Sequence, residues 1–386
     1  MPPRARPMAN AEAEWAVSRV AALVEIWGII DEYSGFVGAR RLALVCKAAR
    51  DGAREWLRTL PGMVVCGLTS AGGNVLTCEV WRLDLAKLEW TRMPNLTHDR
   101  QAHACCALRG DVVVLGGMPP ATGGHDELEA QETASILQCS AGQNAFRLLP
   151  PLSCCPRASV VAIAIDEMQS DQGQIILIGE RGAVGEASTA MRKVDLATGV
   201  CTPQPSLLPS QDGLRMTGFT AARLPDGRVV CAGTKQLVGF GFAPWQAVAQ
   251  VLEPPEHGSP TDAGWQWRAL PGASVGRSNG KGCILSDGRF AVFGGKDNCL
   301  TPHSSCEVLT LDGDGPRWDA LSPMHEARAA FACEAIGGCV IVAGGGGSGS
   351  ARLRTVEVYE EALGRWRKVP CSLDTEFIWI AGSALL

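Results

Sequence analysis

Six short apolar runs, each closed by glycine, recur along this chain. They are Val64-Val65-Cys66-Gly67, Val112 to Gly116, Ile175 to Gly179, Val229 to Gly233, Phe290 to Gly294 and Val340 to Gly344. A recurrence of about 50 to 60 residues marks a repeat architecture, and it constrains the fold more than any other feature. Short runs rich in β-branched residues and bounded by glycine read as fully buried strands. A tight turn precedes most of them, as at Arg109-Gly110-Asp111, Asp226-Gly227, Asp287-Gly288 and Gly337-Gly338. Such dipeptides supply the positive φ angles of a two-residue hairpin, so each run is expected to be the second strand of one.

An alternating segment follows each run, such as Glu307-Val308-Leu309-Thr310-Leu311 or Val356-Glu357-Val358-Tyr359. Period-2 alternation fits a strand with one buried and one wetter face. Then comes a bulky residue shortly before a proline: Trp90 and Pro94, Phe146 and Pro150, Trp267 and Pro271, Trp318 and Pro323, Trp366 and Pro370. The repeat closed by Gly179 is weak here, with Cys201 in the bulky position. Four antiparallel strands repeated six times describe a β-propeller. The Gly116-Gly117, Gly294-Gly295 and Gly344-Gly345 pairs, the downstream Tyr359 and the late tryptophans resemble the Kelch repeat. The fold class expected is therefore mainly β, a six-bladed Kelch-type β-propeller over residues 62–386. The first repeat lacks a first strand of its own, and the apolar tail Phe377 to Leu385 is the candidate to complete it.

Residues 10–60 follow another period. Ala16, Val20, Leu23, Val24, Trp27 and Ile30 form one helical face, and a second helix is expected through Leu42, Val45, Ala49, Ala53 and Trp56. Residues 1–9 are expected to be disordered. The run Leu23-Val24-Glu25-Ile26-Trp27 with Arg41 to Arg50, around Val45-Cys46-Lys47, resembles an F-box. That resemblance implies a small all-α segment docking a Skp1-like adaptor through Leu23, Ile26, Ile30, Leu42, Val45 and Cys46. It also implies a propeller that presents a client protein to a cullin ubiquitin ligase. A simpler alternative is that these helices pack on the propeller base, leaving a Kelch scaffold without a ligase role.

Composition bounds the partners. With 46% hydrophobic residues among 386, the chain has the material for a core, which excludes overall disorder. A net charge of -5 removes the electrostatic footprint of a general nucleic-acid binder. The apolar stretch from Trp15 to Ile30 is broken by Ser18, Arg19 and Glu25, so no membrane association is expected. Glu12 and Glu14 interrupt any secretory apolar region. The 16 cysteines show no C-x-x-C spacing. Reduced thiols in a cytoplasmic or nuclear protein are the expectation.

Catalytic motifs fail on context. Gly276-Arg277-Ser278-Asn279-Gly280 matches a nucleophile-elbow pattern, but a β-hairpin is expected after it rather than a helix. Gly344 to Gly349 matches a phosphate-loop pattern without a following helix. Copper-radical oxidases on Kelch propellers need two tyrosines in the propeller, and this chain has only Tyr33 and Tyr359 in all. Asn95, Asp99 and His103 match the spacing of the iron site of plant specifier proteins, with asparagine for glutamate. A metal enzyme remains the third-ranked reading, and neither a cofactor nor enzymatic activity is expected. The arginines that open the inner strands are more informative. By the Kelch resemblance, Arg100, Arg157, Arg215, Arg277 and Arg328 ring one propeller mouth, where guanidinium groups would favour an acidic client. The competing reading has each arginine bracing its own blade.

Overall fold

A computed structural model describes residues 35–69, 78–100, 102–117, 134–138, 144–153, 158–165, 173–181, 188–205, 207, 214–237, 246–253, 265–313, 315–373 and 379–386. It is a six-bladed propeller. Among the described residues 24 strands, β1 to β24 in chain order, form six four-stranded antiparallel sheets. Blades 2 to 6 each take four consecutive strands. In blade 1 the last strand, β24 (Trp379–Leu385), lies beside β1 (Met63–Thr69), followed by β2 (Val80–Asp84) and β3 (Glu89–Met93). Their register runs from Met63 opposite Leu385 to Thr69 opposite Trp379. Gly62 and Leu386 exchange backbone hydrogen bonds of 2.7 and 2.9 Å beyond it. The two ends of the propeller are thus joined by a full strand pairing, which removes both free edges.

The second strand of every blade is the glycine-closed run. In β5 (Asp111–Leu115) and β21 (Cys339–Ala343) every residue is buried. These strands are sandwiched between blades, which is why they lack a polar face. The hairpins that lead into them differ. At Arg109-Gly110 (φ 53° and 81°) and Gly337-Gly338 (55° and 71°) both central residues have positive φ, as the two-residue turn requires. At Asp226-Gly227 only the glycine does, at 92°, and Leu224 N–H reaches the Arg228 carbonyl across a three-residue loop. Asp226 stays in ordinary backbone geometry because its carboxylate accepts from the Arg228 N–H at 3.0 Å. The Asp-Gly turns are therefore longer than the two-residue form expected from sequence.

Among the described N-terminal residues, 35–42 form helix α1 and Lys47–Thr59 form helix α2. A turn at 43–45 separates them, so Leu42 and Val45 do not belong to the second helix. The Cys46 thiol supplies the N-cap of α2, accepting from Ala49 N–H at 3.4 Å. Both helices pack on the propeller: Phe36, Ala39, Ala53 and Leu57 share one core with Met63, Leu83, Ile336 and Ile341 of blades 1 and 6. No helix among the described residues is long and apolar enough to cross a membrane.

Candidate functional site

The six inner strands are β24, β4 (Ala104–Leu108), β8 (Ala158–Ile165), β12 (Leu214–Arg223), β16 (Lys281–Ile284) and β20 (Ala332–Ile336). They enclose an axial cavity of about 760 Å³. Its wall is mostly alanine, glycine and cysteine, because bulky side chains on six converging strands would fill it. A few polar and charged groups interrupt that wall, Lys281 and Glu334 among them. Lys281 Nζ donates to the Ala381 carbonyl at 3.3 Å. Burial lowers the Lys281 pKa, against the attraction of Cys333 and Glu334. Burial also pushes the Glu334 carboxyl up to about 7, opposed by a hydrogen bond from Ser383 and by Lys281.

A carboxyl raised in this way stabilises the fold while it is protonated. That contribution is complete below the ordinary carboxylate range and is lost as pH rises through about 7. Glu334→Gln should therefore be more stable than the parent at pH 8, by up to about 3 kcal/mol, and match it at pH 4. Thermal melts at the two pH values check this. Equal destabilisation at both would instead make the ionised carboxylate a structural partner of Lys281.

The arginines lie elsewhere. Arg100 and Arg328 are fully buried and Arg277 is 5% exposed. Arg328 donates to Glu357 Oε1 at 2.6 Å and to the Gly344 carbonyl at 2.9 Å. Arg277 repeats the pattern with Glu307 at 2.6 Å and the Gly294 carbonyl at 3.0 Å. Arg100 reaches the Gly116 carbonyl at 3.0 Å. In each case the acceptor is the first glycine of a pair. Gly344 and Gly345 have φ of 67° and 94°, a backbone that turns the first carbonyl toward the guanidinium. The glutamates are satisfied from the preceding loop as well. Glu357 accepts the backbone N–H groups of His325 at 2.7 Å and Glu326 at 3.2 Å, and Glu307 accepts that of Ser274 at 2.8 Å.

Three of the expected mouth residues, Arg100, Arg277 and Arg328, are thus blade braces rather than a partner-binding ring. All three side chains are buried and turned onto their own blade, so they present no face to a client. Arg157 and the Arg215 side chain lie outside the described residues. The case for an acidic client loses the ring on which it rested.

The tryptophans join blades. Trp366 Nε1 donates to the Ser322 carbonyl at 2.8 Å, Trp318 to Pro271 at 2.8 Å and Trp267 to Pro205 at 3.0 Å. Each acceptor sits at the end of the preceding blade. Trp366 also packs edge-on to Phe293, at 5.8 Å between ring centroids, and tilted against Tyr359 at 5.3 Å. Arginine, paired glycine, glutamate, tyrosine and tryptophan occur together in blade 6. Residues 327–372 match the Kelch motif. The solved structure of YjhT shares the fold, with a TM-score of 0.55 and 15% identity, covering 73% of this chain and 86% of that one. No curated protein sequence matches this chain. A six-bladed Kelch propeller suggests a protein-interaction module.

The residues expected to dock an adaptor divide in three. Leu23, Ile26 and Ile30 lie outside the described residues. Leu42 is half-buried and Cys46 is committed to capping α2. Val45 is 64% exposed, beside Leu44 at 82%. The flanking arginines anchor α1. Arg40 donates to the Leu85 and Ala86 carbonyls of blade 1, and Arg41 pairs with Glu360 of blade 6 at 3.1 Å.

The metal spacing does not assemble. Asn95 is exposed, while His103 is buried against Cys66 at 3.3 Å. Among the described residues no group of three histidine, cysteine or acidic side chains could hold a metal. The Gly276 to Gly280 stretch is an irregular turn before β16, and three residues of 3-10 helix, Ser348–Ser350, follow Gly344.

Proposed function

We propose that this protein is the substrate receptor of a Skp1–cullin ubiquitin ligase, with the N-terminal helices docking the adaptor and the Kelch propeller holding a client protein. The observation that carries this reading is the Leu44–Val45 tip. Two large apolar side chains stand in solvent on the segment that resembles an F-box, while the helices on either side are pinned to blades 1 and 6. Exposed apolar residues on an anchored turn suit an interface, since little conformational entropy is lost on docking. The anchoring also fixes the propeller relative to whatever binds the tip, as a receptor that positions a client requires.

Removing the helices would expose the blade core they cover, so substitution at the tip is the cleaner test. The full chain should co-purify with a co-expressed Skp1 adaptor, and the Leu44→Asp/Val45→Asp variant should lose it with its melting temperature unchanged. Retention of the adaptor by that variant would refute docking at the tip. A full chain that never captures the adaptor would leave the scaffold reading in its place.

A further inference from the structure

We propose that Cys66 and Cys105 form a hydroperoxide-reactive dithiol that closes to a disulfide between blades 1 and 2, with His103 as its proton carrier. Cys66 lies on β1 and Cys105 on β4, in different blades. They meet across Gly382 of β24, which pairs with Cys66 in register. A Cβ at Gly382 would stand 2.5 Å from the Cys105 Cβ, so only glycine admits this approach. Gly67 makes the matching space on the other side, since a side chain there would overlap the His103 ring. The Cys66 sulfur lies 3.3 Å from His103 Nε2 and in hydrogen-bonding contact with the Cys105 thiol. His103 is 1% exposed, and its Nδ1 has no hydrogen-bond partner. Hydrophobic packing does not call for a buried imidazole with one nitrogen on a thiol and the other unpaired.

The electrostatics separate the two thiols. The hydrogen bond from Cys105 leads in bringing Cys66 down to about 5, against burial and with help from His103 and Arg100. The same hydrogen bond raises Cys105 well above its ordinary value, with burial adding to it. One proton is thus held between two sulfurs, on Cys105, and Cys66 is the thiolate and nucleophile of the pair. Cys105 lines the axial cavity, as does His103, which gives a small oxidant a path to the pair.

The chemistry balances with a hydroperoxide as the two-electron oxidant. The Cys66 thiolate, its proton passed to His103, attacks the terminal peroxide oxygen. The O–O bond breaks, and the leaving alkoxide or hydroxide takes that proton back from His103. Cys66 is now a sulfenic acid. The Cys105 sulfur attacks it, giving up its proton to the hydroxide that leaves. The S–S bond forms, the S–O bond breaks and water leaves. Two thiols and one hydroperoxide become a disulfide, an alcohol or water, and a second water.

The test is to treat the intact, reduced full chain with hydrogen peroxide, alkylate the remaining thiols and map the peptides. The first pair lost should be Cys66 and Cys105, joined as one disulfide-linked peptide and recovered by dithiothreitol. In Cys105→Ala, Cys66 should stop at the sulfenic acid and be trapped by dimedone. His103→Gln should slow closure about tenfold. If Cys66 and Cys105 both stay alkylatable in the parent while the exposed Cys299 oxidises, the proposal fails without reference to any variant. A first disulfide between Cys283 and Cys333 would overturn it equally.

Discussion

A chain ended at Leu373 is expected to aggregate and to show no cooperative melting transition. It loses β24, and with it the inner strand of blade 1 and one wall of the axial cavity. Ile380, packed in the core shared by blades 1 and 6, goes with it, as does the hydrogen bond from its N–H to the Ala330 carbonyl at 2.9 Å. The stripped β1 would present a row of unpaired backbone groups beside an opened ring, a template for pairing with a second chain. Partial rescue is implausible on energetic grounds. A propeller blade is stabilised chiefly by its two neighbours, and a missing inner strand weakens both contacts of blade 1 together. Size-exclusion chromatography with calorimetry checks this. A monomeric truncated chain that keeps the parent's melting temperature would show that the ring is held by the blade interfaces alone.

Arg328→Ala should be the most damaging single substitution outside the apolar core, at about 3–5 kcal/mol. The side chains of Arg328 and Glu357 are both fully buried and lie 2.6 Å apart. Truncating the arginine strands a carboxylate in the blade 5–blade 6 contact and frees the Gly344 carbonyl. Two backbone N–H groups still reach Glu357, but they do not replace a full positive charge. Adding Glu357→Gln to Arg328→Ala should restore part of the loss, because the stranded charge is then gone. Urea titrations of the four proteins in this cycle give the coupling directly. Additive losses would mean that each side chain acts alone. A variant that folds normally but loses a partner would return Arg328 to the mouth of the propeller.

The blades were readable because their markers are local. Arg109-Gly110 and Gly337-Gly338 hold the backbone that their hairpins need, and a run such as Cys339–Ala343 has no polar residue to offer water. Even blade 3 forms, despite Cys201 in place of a bulky residue, since its β9 (Gln174–Arg181) and β10 (Ser188–Asp195) pair over eight positions. The tail was assignable to blade 1 because that repeat alone lacked a first strand, and β24 pairs there. The site was less legible. Glu307 and Glu357 each stand twelve residues after the second glycine of a pair, a signal that was available. Alternation reads them as solvent-facing, however, and their burial comes from the neighbouring loops at Ser274 and His325. At the corresponding register positions blades 2 and 4 carry Ser135 and Gln250, so the arginine–glutamate brace is confined to part of the ring. The arginines stand out in the sequence as a set, but sequence does not reveal whether a turn side chain points outward or back into its blade. The thiol–imidazole cluster was invisible for another reason. Cys66, His103 and Cys105 meet only once Gly382, more than 270 residues further on, has closed the ring.

Hydrogen–deuterium exchange of the full chain, with and without purified Skp1 adaptor, tests the central functional claim most directly. Protection should be confined to residues 23–46, strongest around Leu44 and Val45, with the six blades exchanging as they do alone. Protection on the propeller face, or an exchange pattern that the adaptor leaves unchanged, would contradict it.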